Sequence, residues 1–254
     1  MNSRLARILS LVAVLLFVAA RTAAAADQWL LADGKAWPGQ LLRAHDDRID
    51  VAFARGNSTS DQVVPRIQSI TKLADGRVVF CSGLDRKLFE LTPTGERELR
   101  EGGYLVRQVR TDTDGTLYWS GLETPRDNNP LPDGFIYSWN PKTGEAKTVM
   151  TFSQGDVGHD WWGAFDVRDG RIFVGTINGP TRIFDVTASP VKPIATLPIS
   201  ATAFRFAADG SLLACDGQGK LYRFSDLAQP DKYEVVLTSA TPFVDFAMQS
   251  AGPR

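Results

Sequence analysis

The sequence has 254 residues, 43% of them hydrophobic, and a formal net charge of −1 at pH 7. This balance argues against the clustered basic face of a nucleic-acid-binding protein, and the length is sufficient for a domain with a large core. The content of Phe (14), Trp (6), Gly (22) and Pro (14) fits an all-β protein rich in tight turns.

The first 26 residues have the pattern of a secretory signal peptide. Two arginines precede the apolar run 8–20, and Ala24-Ala25-Ala26 provides the small residues of a cleavage site. The run is too short for a transmembrane helix because Arg21 interrupts it before about 20 apolar residues. We therefore expect an exported protein, periplasmic or extracellular, whose mature domain is 27–254 and has no membrane span.

Four Asp-Gly pairs mark a repeat in the chain that follows. Their spacings are 39, 55 and 40 residues, and the pairs are Asp75-Gly76, Asp114-Gly115, Asp169-Gly170 and Asp209-Gly210. Such dipeptides permit the positive φ angles of tight hairpins. Around each pair lie four short apolar runs separated by turn residues. Four hairpin-linked strands in about 35 residues are typical of one β-propeller blade.

The two ends of the chain supply a fifth blade. Phe243-Val244-Asp245-Phe246 matches an innermost strand, Ala203-Phe204-Arg205-Phe206, but no second strand follows it. The missing three strands are found in 27–53, which copies the last three strands of the preceding blade. We therefore predict a single five-bladed β-propeller of four-stranded antiparallel blades. Its closing blade combines 27–53 with the C-terminal strand 241–248, which leaves no free edge at the seam.

The blades predicted in chain order are about 65–100, 104–152, 160–197, 201–238, and 241–254 together with 27–55. An alternative assigns 29–70 to a separate small barrel of the Sm-like or SH3-like type. That assignment leaves the C-terminal strand without a sheet, and an unpaired buried strand loses many backbone hydrogen bonds.

The two cysteines occupy equivalent positions of two blades. Cys81 and Cys215 each lie six residues after the Asp of an Asp-Gly pair, in the first and fourth blades of the repeat. These blades are not neighbours in a five-bladed ring, so the Cα atoms should be farther apart than the limit of about 7 Å for a disulfide. We predict two reduced, half-buried thiols.

Two enlarged loops are predicted on the face opposite the Asp-Gly hairpins. Residues 122–134 join the second and third strands of the second blade, and residues 153–162 enter the third blade, which explains the 55-residue spacing. Long loops in a compact repeat often carry function. We therefore place the candidate site at this face, over the mouth of the central channel.

The side chains of these loops define the candidate residues. The candidates for ligand binding are Glu123, Arg126, Asn128, Trp161 and Tyr104. Carboxylates and amides suit a hard cation such as Ca²⁺ or another divalent ion, and the candidate ligands are Asp127, Asp156, Asp160 and Asn178. His159 with Asp160 is the candidate catalytic pair, because a histidine at the channel mouth can act as a general base. The alternative is that the acids are solvated loop residues and the tryptophan packs between blades.

The centres of the five innermost strands carry mixed charges. The residues at this position are Thr71, Arg110, Asp166, Arg205 and Asp245. If they face the channel, opposite charges can pair across a narrow, low-dielectric space and avoid the desolvation cost of isolated ions. We interpret this ring as structural closure of the channel rather than as a substrate site.

The blade pattern, in which Asp-Gly precedes Leu or another apolar residue and then Ser or Cys, resembles the calcium-dependent gluconolactonase and senescence-marker propellers. It also resembles NHL-type and lyase-type propellers. The first resemblance implies a divalent metal over the channel, held by Glu, Asn and Asp, and the opening of a lactone. The chain departs from that family because the Glu-Gly-Pro opening of the first inner strand is absent and five blades are predicted rather than six. Only Asn178-Gly179-Pro180 echoes the loops of that family, so no catalytic residue is carried over.

Two functions follow from these observations. The first is an exported, monomeric, non-enzymatic propeller that binds a small molecule, a glycan or a protein through its two enlarged loops. The alternative is a divalent-metal-dependent lactonase or related hydrolase that uses the acids, the amide and His159 of these loops. The sequence offers no second acid–base group of clear placement, which favours the binding module.

Overall fold

The computed structural model describes residues 28–34, 37–45, 48–54, 67–82, 85–103, 105–122, 134–152, 164–176 and 179–248. The secondary structure of these residues consists of twenty β-strands: β1 (Gln28–Gly34), β2 (Trp37–His45), β3 (Arg48–Ala54), β4 (Ile67–Lys72), β5 (Val78–Ser82), β6 (Lys87–Thr92), β7 (Gly95–Glu101), β8 (Leu105–Thr111), β9 (Leu117–Leu122), β10 (Gly134–Trp139), β11 (Ala146–Phe152), β12 (Phe165–Arg168), β13 (Arg171–Gly175), β14 (Arg182–Asp185), β15 (Pro193–Thr196), β16 (Ala203–Phe206), β17 (Leu212–Cys215), β18 (Lys220–Phe224), β19 (Tyr233–Thr238) and β20 (Asp245–Ala247). No helix in the described ranges has the length and apolarity that a membrane crossing requires.

The strands form five four-stranded antiparallel sheets. Their strand orders are β4-β5-β6-β7, β8-β9-β10-β11, β12-β13-β14-β15, β16-β17-β18-β19 and β20-β1-β2-β3, which we call blades one to five. The innermost strands β4, β8, β12, β16 and β20 contact one another in this cyclic order. The β-propeller prediction is therefore confirmed.

Blade five joins the two ends of the described chain. Strand β20 pairs antiparallel with β1, so that Leu30 is opposite Phe246 and Leu31 is opposite Asp245. The small-barrel alternative is wrong, because β4 belongs to blade one whereas β1–β3 belong to blade five. Pairing β20 with β1 satisfies the backbone groups of a strand that would otherwise be buried without a partner.

The Asp-Gly hairpins use glycine as the sequence predicts, but one of them has a shorter turn. Gly76 and Gly210 have φ angles of 91° and 88°, in the left-handed region that favours glycine. In blade three, Arg168 pairs directly with Arg171, so the turn contains only Asp169 and Gly170. Both residues have positive φ, 51° and 74°, as a type I′ turn requires.

The core consists of apolar clusters that lie between neighbouring blades, and both cysteines belong to them. Cys81 and Cys215 are free thiols, as predicted, but both are fully buried rather than half-buried. The reason is that β5 and β17 are second strands with neighbouring blades packed on their faces. Burial raises the pKa of the Cys215 thiol to about 12 and also raises that of Cys81.

Candidate functional site

The five predicted ring residues lie at equivalent register positions of the innermost strands. Each is opposite the same position of the second strand in its blade: Thr71 with Val79, Arg110 with Tyr118, Asp166 with Phe173, Arg205 with Leu213 and Asp245 with Leu31. All five are buried, and Arg110 has no exposed surface. The fold thus brings residues from all five blades to one level of the channel.

Asp245 accepts hydrogen bonds from three other blades of the ring. Its Oδ2 atom accepts hydrogen bonds from Ser69 Oγ, from the Ile70 amide at 3.0 Å and from Arg110 Nη1 at 3.3 Å. Its Oδ1 atom accepts from Arg205 Nη2 at 3.0 Å and from the Phe246 amide at 2.9 Å. One carboxylate of blade five is therefore bonded to blades one, two and four.

Arg110 makes the corresponding connections from blade two. Its Nε atom donates to the Phe165 carbonyl of blade three at 2.6 Å, and its guanidinium lies 5.3 Å from the centroid of the Phe165 ring. Its Nη1 atom donates to Ser69 Oγ at 2.8 Å and to the Val109 carbonyl at 2.6 Å. These contacts satisfy a guanidinium that has no access to water.

The remaining ring residues complete the connections. Arg205 Nη2 donates to the Ile70 carbonyl at 2.8 Å, which joins blade four to blade one. Asp166 Oδ2 accepts from the Phe206 amide at 2.7 Å, which joins blade three to blade four. Thr71 Oγ1 lies 3.1 Å from Thr111 Oγ1 and links blades one and two.

The four ring charges cancel, because two guanidinium groups face two carboxylates. Burial opposes ionisation of Asp245, but Arg110 and Arg205 outweigh it, so the pKa of Asp245 is lowered. Burial raises the pKa of Asp166, and the same two arginines offset it only in part. Burial and the neighbouring Arg205 lower the pKa of Arg110 to about 10. Arg110 and Arg205 therefore favour the ionised form of Asp245, whereas Asp166 is the carboxyl of the ring that protonates more readily.

Two polar residues of this network were not identified from the sequence. Ser69 bonds to both Asp245 and Arg110. Gln108 Oε1 accepts from the Phe165 amide at 2.8 Å and from Arg110 Nη2 at 3.0 Å, and its Nε2 donates to the Thr202 carbonyl at 3.1 Å. Ser69 and Gln108 each precede a ring residue by two positions. Because side chains alternate between the two faces of a strand, this spacing places both on the face that carries the ring residues.

The two enlarged segments are attached to neighbouring strand ends. Gly134, where β10 begins, pairs with Leu122 at the end of β9 and with Phe152 at the end of β11. Segment 123–133 therefore starts and ends beside the start of segment 153–163. The first strand after the second segment is held at Phe165, whose amide and carbonyl bond to Gln108 and Arg110.

The side chains predicted to bind a ligand or a metal, or to act in catalysis, lie outside the described residues. They are Tyr104, Glu123, Arg126, Asp127, Asn128, Asp156, His159, Asp160, Trp161 and Asn178. Within the described ranges, no group of three or more His, Cys, Asp or Glu side chains could hold a metal ion. Asp245 does not fit a divalent cation either, because Arg110 and Arg205 already pair with its carboxylate.

Comparison with known proteins identifies the fold. No family model matches the sequence, and no curated protein matches it. A gluconolactonase from Xanthomonas campestris has a similar structure, with 14% identity, a TM-score of 0.51, and coverage of 87% of this chain and 79% of that one. A second protein assigned to the gluconolactonases has 16% identity and a TM-score of 0.49, with coverage of 87% and 81%. Virginiamycin B lyase from Staphylococcus aureus has 17% identity and a TM-score of 0.41, with coverage of 77% and 62%.

At these identities the similarity concerns the fold, since unrelated activities occur on one propeller architecture. The resemblance noted from the blade pattern is thus matched by a structural likeness to a gluconolactonase. The chain has a β-propeller fold in which β20 and β1–β3 form one blade, and hydrogen bonds between buried ring residues connect the blades.

Proposed function

We propose that the chain is an exported β-propeller that binds a small ligand, or a glycan or protein partner, at its channel mouth through segments 122–134 and 153–162. The observation that supports this is the common origin of the two segments, since Leu122, Gly134 and Phe152 lie side by side on adjacent strands. Two long polar segments that leave the fold at one corner can contact the same ligand. The bonded ring residues give them a rigid support.

The composition of the segments suggests how the ligand is held. Glu123, Arg126 and Asn128 supply a carboxylate, a guanidinium and an amide, which can accept and donate hydrogen bonds. Trp161 and Tyr104 supply aromatic surface for stacking. A small number of polar groups next to aromatic surface is typical of sites for small organic ligands.

Shortening the first segment tests this function. Residues 123–133 are replaced by Asn-Gly, a turn that fits between the paired Leu122 and Gly134. The mature protein and this variant are screened by thermal shift against a metabolite library and on a glycan array. We expect ligands of the mature protein to bind the variant at least tenfold more weakly, with little change in its own melting temperature. Equal binding to both proteins, or no ligand for the mature protein, would reject the proposal.

A divalent-metal-dependent lactonase is the second candidate, because the segments are rich in oxygen ligands. Asp127, Asp156, Asp160 and Asn178 would hold the cation, which would polarise a lactone or ester carbonyl. His159 and Asp160 would then be the residues available for proton transfer. Asp245, which is paired with Arg110 and Arg205, would not take part.

Thermal unfolding with EDTA and then with Ca²⁺, Mg²⁺ or Zn²⁺ separates the two candidates. A ligand that binds only the folded state stabilises it by about 2.7 kcal/mol at 100 times its Kd. A saturable rise in melting temperature with one cation, lost in Asp160→Ala, would support the hydrolase and justify a screen of lactones and esters. The absence of any shift would reject the hydrolase and leave the binding module.

Export is part of the same proposal. Cleavage after Ala26 would leave Asp27 as the first residue of the mature protein. The protein is expressed with its first 26 residues in a secretion-competent bacterial host, fractionated and sequenced from its N-terminus. Recovery outside the cytoplasm with Asp27 first is expected, and a chain retained in the cytoplasm with its leader would contradict export.

A further inference from the structure

A cleft outside the channel follows the boundary between blades one and two, which we call the blade one–two seam. One wall consists of the outer strand β7 and the turn between β4 and β5, and the other consists of β9, β10 and β11 with the turns beside them. Two cavities of about 450 Å³ and about 430 Å³ lie along the seam. Both volumes are within the range of small-molecule sites.

Aromatic rings line one side of the seam. Tyr137 and Trp139 are two residues apart on β10, so both point to the same face of blade two. Trp119 is opposite Tyr137 on β9, with 5.7 Å between the ring centroids. Tyr137 and Trp139 are only half-buried, which leaves part of each ring accessible.

The neighbouring strand leaves this aromatic surface open. On β11, Thr148 is opposite Tyr137 and Ala146 is opposite Trp139. Both residues are small and exposed. A larger side chain at either position would cover the rings, so the surface of blade two forms a shallow platform here.

Arg100 lies between the two cavities. Its guanidinium lies over the Trp139 ring, 5.8 Å from the centroid. Arg100 lines the larger cavity, whereas Trp139 lines the smaller one. A ligand that extends through both cavities would therefore contact this stacked pair, which offers apolar surface and hydrogen-bond donors together.

The charges at the rim are nearly balanced. The larger cavity is lined by Arg100, Lys147 and Glu101, and the smaller one by Arg77, Lys142, Asp75 and Asp114. With four cationic side chains and three carboxylates, the rim has almost no net charge, so its electrostatic field does not favour a charged ligand. Neighbouring donors and acceptors suit hydroxyl groups, because a hydroxyl both donates and accepts hydrogen bonds.

We propose that the blade one–two seam binds a neutral oligosaccharide. Sugar rings present an apolar face that packs on the exposed parts of Tyr137 and Trp139, and their hydroxyl groups bond to Arg100 and to the polar rim. The site is separate from the channel mouth and does not rest on the function proposed above. A nucleotide or another polyanion would require a clear excess of cations, which the rim does not have.

Calorimetric titration of the mature protein with cellohexaose, xylohexaose, laminarihexaose, maltohexaose and chitohexaose tests the proposal. We expect at least one of these to bind, and both Trp139→Ala and Arg100→Ala to weaken that binding at least tenfold. The Arg100 variant keeps the test valid if Trp139→Ala does not fold, since Arg100 lies at the surface of the seam.

Tyr233→Ala is the matched control. Tyr233 is a partly exposed aromatic residue on β19, an outer strand of blade four, and it does not line the seam. Its replacement should leave the affinity within twofold of the unmodified protein. Failure of all five oligosaccharides to bind would overturn the proposal, as would binding that survives in both seam variants. Loss of binding only when segment 123–133 is shortened would assign the sugar to the channel mouth and also overturn it.

Discussion

Asp245 and Arg110 are 135 positions apart in the chain, yet their side chains meet in the channel at 3.3 Å between Oδ2 and Nη1. Asp245 belongs to the blade that joins the two chain ends, and Arg110 belongs to blade two. Both are fully buried. The ion pair therefore forms only when the ring has closed, so the stability of the pair and the closure of the ring depend on each other.

Replacement of Asp245 by Asn should destabilise the protein strongly. The change leaves two buried guanidinium groups with only one carboxylate, and removal of one partner of a buried pair costs about 3–5 kcal/mol. Urea unfolding measures the change in the free energy of unfolding. The control is Asp209→Asn, which weakens an exposed pair with Arg223 and should have a much smaller effect. Equal effects of the two changes would show that the ring charges are not coupled to closure.

Gln108→Leu should also destabilise the protein, by about 1–3 kcal/mol. Leucine has a similar size but leaves the Phe165 amide and the Thr202 carbonyl without their partner, and a buried unsatisfied group costs about this amount. Thermal and urea unfolding provide the measurement. Gln218→Leu, at an exposed position, is the control and should have little effect. A Gln108 variant as stable as this control would contradict the bridging role.

The two ring carboxylates should give opposite pH dependences. Because the folded-state pKa of Asp245 is lowered, its contribution is present above the unfolded value of about 3.9 and is lost as the pH falls through the folded pKa. Because the folded-state pKa of Asp166 is raised, its contribution is present below about 3.9 and is lost as the pH rises through the folded pKa.

Asp166→Asn isolates the second of these effects. In the unmodified protein, ionisation of Asp166 should lower the free energy of unfolding as the pH rises above about 4. Asparagine does not ionise, so the variant should not show this decrease. Urea unfolding between about pH 4 and 8 compares the two proteins, and Asp231→Asn, an exposed change, is the control. Parallel stability curves for the unmodified protein and Asp166→Asn would refute the assignment.

Both thiols should be unreactive in the folded protein. Cys81 and Cys215 are completely buried, and burial raises the pKa of each thiol, so the nucleophilic thiolate is scarce at neutral pH. Titration with a disulfide reagent such as DTNB should detect no thiol before unfolding and both in guanidinium chloride. Rapid reaction of either thiol in the native protein would show that its interblade core opens.

The repeat pattern of the sequence by itself determined the propeller, its Asp-Gly hairpins and the sharing of one blade between the chain ends. Strand period and turn chemistry are local properties, and they can be read where Asp209-Gly210 separates two apolar runs. The ring of Thr71, Arg110, Asp166, Arg205 and Asp245 could be aligned for the same reason.

Only the tertiary structure decided which of these charges meet. Asp245 bonds to Ser69 and Arg110 because the innermost strands of blades five, one and two lie close together. The relative positions of these strands depend on packing between segments far apart in the chain. The full burial of the cysteines and the aromatic platform of the blade one–two seam have the same origin. Contacts between blades depend on the shape of each neighbour, which no single blade sequence specifies.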